Sequence, residues 1–141
     1  MGQKLPDPLW AVQADVAGDR SDRAFYQRNA IGDDGTLADI LASGQGGTVV
    51  SVRLHGAIAS LIAGRPAVHL AYERKGWGAY EDLGLGDYVH DARTFDPALV
   101  ADQVRHLDQD PSAFRDCVEK AAPNLRAQYA NLVSELSKRL L

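Results

Sequence analysis

Short apolar runs alternate with helically spaced ones along the chain, and the switches between them fall at glycines and capping residues. LWAVQ, residues 9–13, has the composition of a strand. After the polar AGDRSD, the spacing predicts a short helix over 23–29 that Ser21 or Asp22 can cap. In GDDGTLADILAS, Thr36 is placed to cap a helix with Leu37, Ile40 and Leu41 on one face, and the GQGG of 44–47 stops it. TVV at 48–50 reads as a strand, residues 55–63 as a helix stopped by Gly64, and AVHLAY after Pro66 as a second strand. A short helix over 79–83 closed by Gly84 and a weaker strand, YVHDA at 88–92, come next. Asp96 then caps a helix with Pro97 at its first position, along which Leu99, Val100, Val104 and Leu107 form a stripe. From Pro111 the pattern is helical with an interruption at Pro123. Leu125, Tyr129, Leu132, Val133, Leu136 and Leu140 predict an amphipathic helix of about four to five turns. Its apolar face needs cover, either from its own domain or, as expected here, from a second copy in a homodimer.

Strands that alternate with helices predict an α/β protein with a Rossmann-like, mainly parallel sheet of about four to six strands, flanked by helices. One domain over residues 1–141 is expected, with no internal repeat or low-complexity run visible. The composition, 45% hydrophobic and 24% charged, is enough for a sizeable core. A net charge of -4 provides no broad basic field, which argues against nucleic acid or an anionic membrane as partner; any anion site must be local. Cys117 is the only cysteine, so no intrachain disulfide can form. The start, MGQKLPDPLW, resembles neither a signal peptide nor a spanning segment, and a cytoplasmic protein that is not integral to a membrane is expected.

The candidate chemistry lies in SVRLHGAIASLIAGRPAVHLAYERK, residues 51–75, where two successive strands each end in cations. In open α/β sheets, ligands bind beyond the carboxyl ends of the strands, where helix N-termini present N–H groups and partial positive charge. Arg53, His55 and Lys75 are expected on that edge, and the small Gly56 and Ala57 let an oxyanion come close to the backbone. Such a set suits a small anionic ligand carrying phosphate or carboxylate. Arg53 has a structural alternative in pairing with a carboxylate such as Asp82. Tyr72 reads as core or pocket wall, Glu73 and Arg74 as an exposed charge pair, and His69, alternating with Val68 and Leu70, as a packed histidine. Trp77 and Tyr80, in the glycine-flanked GWGAY, either stack on a sugar or base or anchor a loop in the core. His90 and His106 have no neighbours at metal-ligand spacing, so no metal site is expected. Neither G-x-G-x-x-G nor a P-loop is present.

The run VVSVRLHGAIASLIAGRPAVHLAYERKGWGAYEDLGL resembles the C-terminal half of the polysaccharide pyruvyl transferase family, in which S-x-R-L-H-G after a strand is followed by G-x-P, a strand, Y-x-x-K and E-D-L-G-L. The likeness is close over residues 48–85 and looser in DDGTLADILAS and FDPALVADQV. It implies a fold like the C-terminal domain of a two-domain GT-B-type transferase. The implied reaction moves pyruvate from phosphoenolpyruvate onto a sugar as a ketal, in cell-surface polysaccharide biosynthesis, without a cofactor. His55 and Lys75 are then donor residues, with Arg53 and Gly56 beside them. Ketal formation needs an acid for the methylene carbon of the enol, cations for phosphate and carboxylate, and a base for the sugar hydroxyls. His55 can be that acid, or can donate a hydrogen bond to phosphate. Because members of the family are more than twice this length, the resemblance implies a C-terminal domain whose N-terminal domain is absent and which is inactive alone. Two alternatives stand beside it: a nucleotide-sugar glycosyltransferase or epimerase of similar architecture, and a noncatalytic binding module.

Overall fold

The computed structural model describes residues 34–140, with side chains to Glu135, and the isolated positions Leu9, Ala11, Asn29 and Gly32. Apart from these positions, the strand expected at 9–13 and the helix expected at 23–29 lie outside the described residues. The chain divides into two compact units, residues 1–46 and 47–141. In the first, α1 (Leu37–Ser43) starts where Thr36 accepts the Asp39 N–H at 3.2 Å and stops at Gly44, whose φ of 75° is left-handed. Ile40 is its buried residue.

The second unit runs β1 (Val49–Ser51), α2 (Leu54–Ile62), β2 (Ala67–Ala71), α3 (Arg74–Asp82), a 3₁₀ turn (Gly86–Tyr88), β3 (Val89–Asp91), α4 (Pro97–Gln109), α5 (Ser112–Lys120) and α6 (Ala122–Leu140). Among the described residues the sheet has three strands, all parallel, in the order β1-β2-β3. All five residues of β2 are buried, so both of its faces are covered. With the right-handed crossovers that parallel strands follow, the order β1-β2-β3 puts α2 and α3 on one face. Val100, Val104 and Leu107 of α4, Phe114 of α5, and Leu125 and Leu132 of α6 join the same core. Among the described residues no helix is long and apolar enough to cross a membrane.

Three expectations need correction. The helix expected over 79–83 begins at Arg74, so GWG is helical and not a loop. Two interior glycines lower helix propensity by about 1 kcal/mol each, but packing decides the outcome. Leu99 leaves the α4 stripe and is 49% exposed. The apolar face of α6 splits: Leu125 and Leu132 are buried in the unit's own core, whereas Tyr129 and Val133 stay 43% and 44% exposed.

A repeat invisible in the residue types appears in the backbone. The strands end at Ser51, Ala71 and Asp91, twenty residues apart, and α2 and α3 are nine-residue helices with the same offset. Each is followed two residues later by a left-handed glycine, Gly64 or Gly84, with φ of 81° and 74°. The third unit differs, because α4 starts late, on Asp96, whose carboxylate accepts the Ala98 N–H at 2.9 Å.

The amino end of β1 is tied to the last turn of α4. Asp108 Oδ1 accepts the Thr48 N–H at 2.8 Å and the Thr48 hydroxyl at 2.7 Å. A Cβ on Gly47 would come within 2.5 Å of that same oxygen, so a larger residue there would push the Asp108 carboxylate out of this position. Asp108→Ala should lower stability by about 1–2 kcal/mol, the worth of hydrogen bonds to a charged acceptor near the surface. An unchanged urea midpoint would show that the tie contributes nothing.

Candidate functional site

Arg53, His55, Gly56 and Lys75 all sit where the topology carries the chain out of the carboxyl edge of the sheet. Arg53 is the N-cap of α2, His55 and Gly56 are in its first turn, and Lys75 is the second residue of α3. Because β1 and β2 are neighbours and parallel, these two turns lie side by side. Gly56 is buried, His55 is half-buried with its Nε2 shielded from solvent, and Arg53 and Lys75 are exposed. Lys75 already has a partner: its ammonium donates to both carboxylate oxygens of Glu135 on α6, at 2.8 and 2.7 Å. Asp82, the alternative partner considered for Arg53, is at the far end of α3 from this edge.

The turn carrying Arg53 and His55 is built from below. The Ser51 hydroxyl donates to the Arg53 carbonyl at 2.7 Å, and the Ser51 carbonyl accepts from His69 Nδ1 at 2.9 Å, which fixes the proton on that nitrogen. His69 is buried in β2, and burial lowers its pKa below the usual 6.5, opposed by the bond to Ser51. Above its ring lies Gly76: a Cβ there would overlap Nε2, stand 2.9 Å from Cδ2 and 3.2 Å from the Ala71 Cβ. Tyr80, one turn on, stacks obliquely on His69 at 5.6 Å and donates to the Ala67 carbonyl at 2.8 Å. Burial raises its phenol pKa. Tyr80 is therefore core, and Trp77 packs against the core from the side.

No family model, curated protein or solved structure matches this chain. The family resemblance accordingly rests on the motif residues themselves, and the geometry has to be read on its own terms. Three residues of this edge were missed in the sequence: Ser51 and Gly76, which shape the turns, and Arg93, which adds a cation at the third strand end. His69 is the packed histidine expected, and its hydrogen bond to Ser51 is the part the sequence did not show. Arg93 lies two residues past β3, as Arg53 lies two residues past β1. The weak strand signal of YVHDA hid this equivalence. Tyr72, one residue past β2, is 53% exposed and so is not core.

Two measurements test the support beneath the site. Gly76→Ala should cost about 1–3 kcal/mol through overpacking against His69, more than the helix propensity it gains. Gly78 has nothing within 4 Å of a built Cβ, so Gly78→Ala should stabilise by up to about 1 kcal/mol. Equal effects of the two in urea denaturation would refute the close packing. The second measurement uses pH. A neutral buried His69 binds fewer protons than the unfolded chain, so its contribution is present above 6.5 and is lost as pH falls from there toward its lowered pKa. Denaturation at pH 7.5 and 5.5 should show lower stability at the acid value, with a smaller difference in His69→Gln.

Proposed function

We propose that the carboxyl edge of this sheet binds the donor of a polysaccharide pyruvyl transferase, which moves pyruvate from phosphoenolpyruvate to a sugar as a ketal. The observation that carries this reading is the convergence of Arg53, His55 and Gly56 at the start of α2 with Lys75 at the start of the neighbouring α3. The N–H groups opening α2 and the Arg53 guanidinium suit the phosphate. In the reaction two sugar hydroxyls add to the enol carbon, a proton reaches the methylene carbon, and phosphate leaves. His55, in the same first turn, is the candidate for the group that delivers that proton.

Lys75 contributes by exchange, since its ammonium already holds the Glu135 carboxylate. An exposed pair of this kind is worth about 0–1 kcal/mol, so a phosphate or carboxylate of the donor can displace it at little cost. A uridine diphosphate sugar is the ligand of the rival glycosyltransferase reading.

Titration followed by amide resonances tests the proposal. Phosphoenolpyruvate should shift signals at 53–57 and 72–77, and Lys75→Ala should weaken binding by about 1 kcal/mol, the lower end for a charged hydrogen bond because the exchange is nearly balanced. His55→Asn should retain binding, since an amide still donates to phosphate but cannot serve as a proton acid. A flat titration with phosphoenolpyruvate, or shifts produced only by a uridine diphosphate sugar, would sink the donor assignment.

A further inference from the structure

The third strand end holds a cation whose orientation is fixed. Arg93 is displaced outward relative to Arg53: Ser51 is level with His69 and Val89, and Ala71 with Asp91, so Arg93 emerges two residues further along the strand direction, about 7 Å. Its side chain turns back toward the middle strand. The guanidinium carbon lies 5.1 Å from the centroid of the Tyr72 ring, and Nη1 donates to the Tyr72 carbonyl at 3.3 Å. The Arg93 amide donates to Asp91 Oδ1 at 2.7 Å, which holds the turn from the other side. A guanidinium carries five N–H donors in one plane. One serves the Tyr72 carbonyl, and the exposed Tyr72 ring supports the plane.

The surroundings select the kind of anion. The turn after β1 runs straight into α2 and offers helix amides, which favour a phosphate. The turn after β3 does not: α4 begins at Pro97, which has no N–H, and its next amide is taken by Asp96. The neighbouring Asp91 carboxylate also disfavours a doubly charged group there. What remains at Arg93 is a planar fork held over the Tyr72 ring, which matches a carboxylate in two parallel hydrogen bonds.

We propose that Arg93, turned back over Tyr72 at the exit of the middle strand, binds the carboxylate of the ligand whose phosphate is held at the neighbouring β1 turn. The inference deepens the donor reading and rests on it. Calorimetric titration of the wild type, Arg93→Ala, Arg93→Lys and Arg53→Ala with phosphoenolpyruvate and with inorganic phosphate tests both. Arg93→Ala should weaken phosphoenolpyruvate binding by about tenfold or more, the loss expected for a hydrogen bond to a charged group, and leave inorganic phosphate unaffected. Arg93→Lys should restore little, because an ammonium cannot present the fork. Arg53→Ala should weaken both ligands. Wild-type affinity for phosphoenolpyruvate in Arg93→Ala, with the Arg53→Ala loss intact, would overturn the Arg93 assignment and leave the donor reading standing. Equal losses of both ligands in Arg93→Ala would make Arg93 a general countercharge and also overturn it. Absence of phosphoenolpyruvate binding in the wild type would remove the donor reading and this inference together.

Discussion

A single imidazole connects the pieces of backbone from which the candidate site is built. His69 stands in the middle strand, donates to the carbonyl of Ser51 at the end of β1, and lies under Gly76 in the first turn of α3. Ser51 passes the constraint on, because its hydroxyl holds the Arg53 carbonyl. The positions of the α2 and α3 N-termini relative to one another thus follow from one buried ring. A polar ring in an otherwise apolar strand carries a desolvation cost, and the hydrogen bond to Ser51 offsets part of it. The same contact explains why α3 tolerates a glycine where an ordinary helix would carry a larger residue.

Much of the scaffold was legible in the chain, because its signals are local. Thr36 and Asp96 at helix starts, Gly44, Gly64 and Gly84 at helix ends, and apolar runs between them mark elements whose neighbours in sequence are also neighbours in space. The position of Arg53, His55 and Lys75 on one edge followed from the same alternation, since parallel strands send all their exits to one side. The early start of α3 was not legible. GWG has the propensity of a loop, and the close approach of His69 that calls for glycine at position 76 comes from another strand.

Side-chain partners across long sequence separations were likewise hidden. Lys75 and Glu135, or Thr48 and Asp108, have nothing in their local patterns that pairs them. The twenty-residue repeat escaped notice for a different reason. α2 is apolar and buries five residues, whereas α3 is polar and buries two, so equal geometry is written in unequal residue types. Arg53 and Arg93 are the visible trace of that equivalence, interrupted at the middle turn by Glu73.

The repeat also fixes which contacts the chain can reach cheaply. Strand partners are separated by eighteen residues between β1 and β2 and by twenty between β2 and β3, so the whole sheet assembles by closing short loops. The ties from Thr48 to Asp108 and from Lys75 to Glu135 each span 60 residues. Closing a loop three times as long costs roughly 1 kcal/mol more, about what one such exposed contact returns. These two ties therefore cannot organise an open chain. They become favourable once the strands and helices between them have formed and drawn their ends together, so the loop-closure cost predicts an order of assembly with the sheet first and the outer helices last.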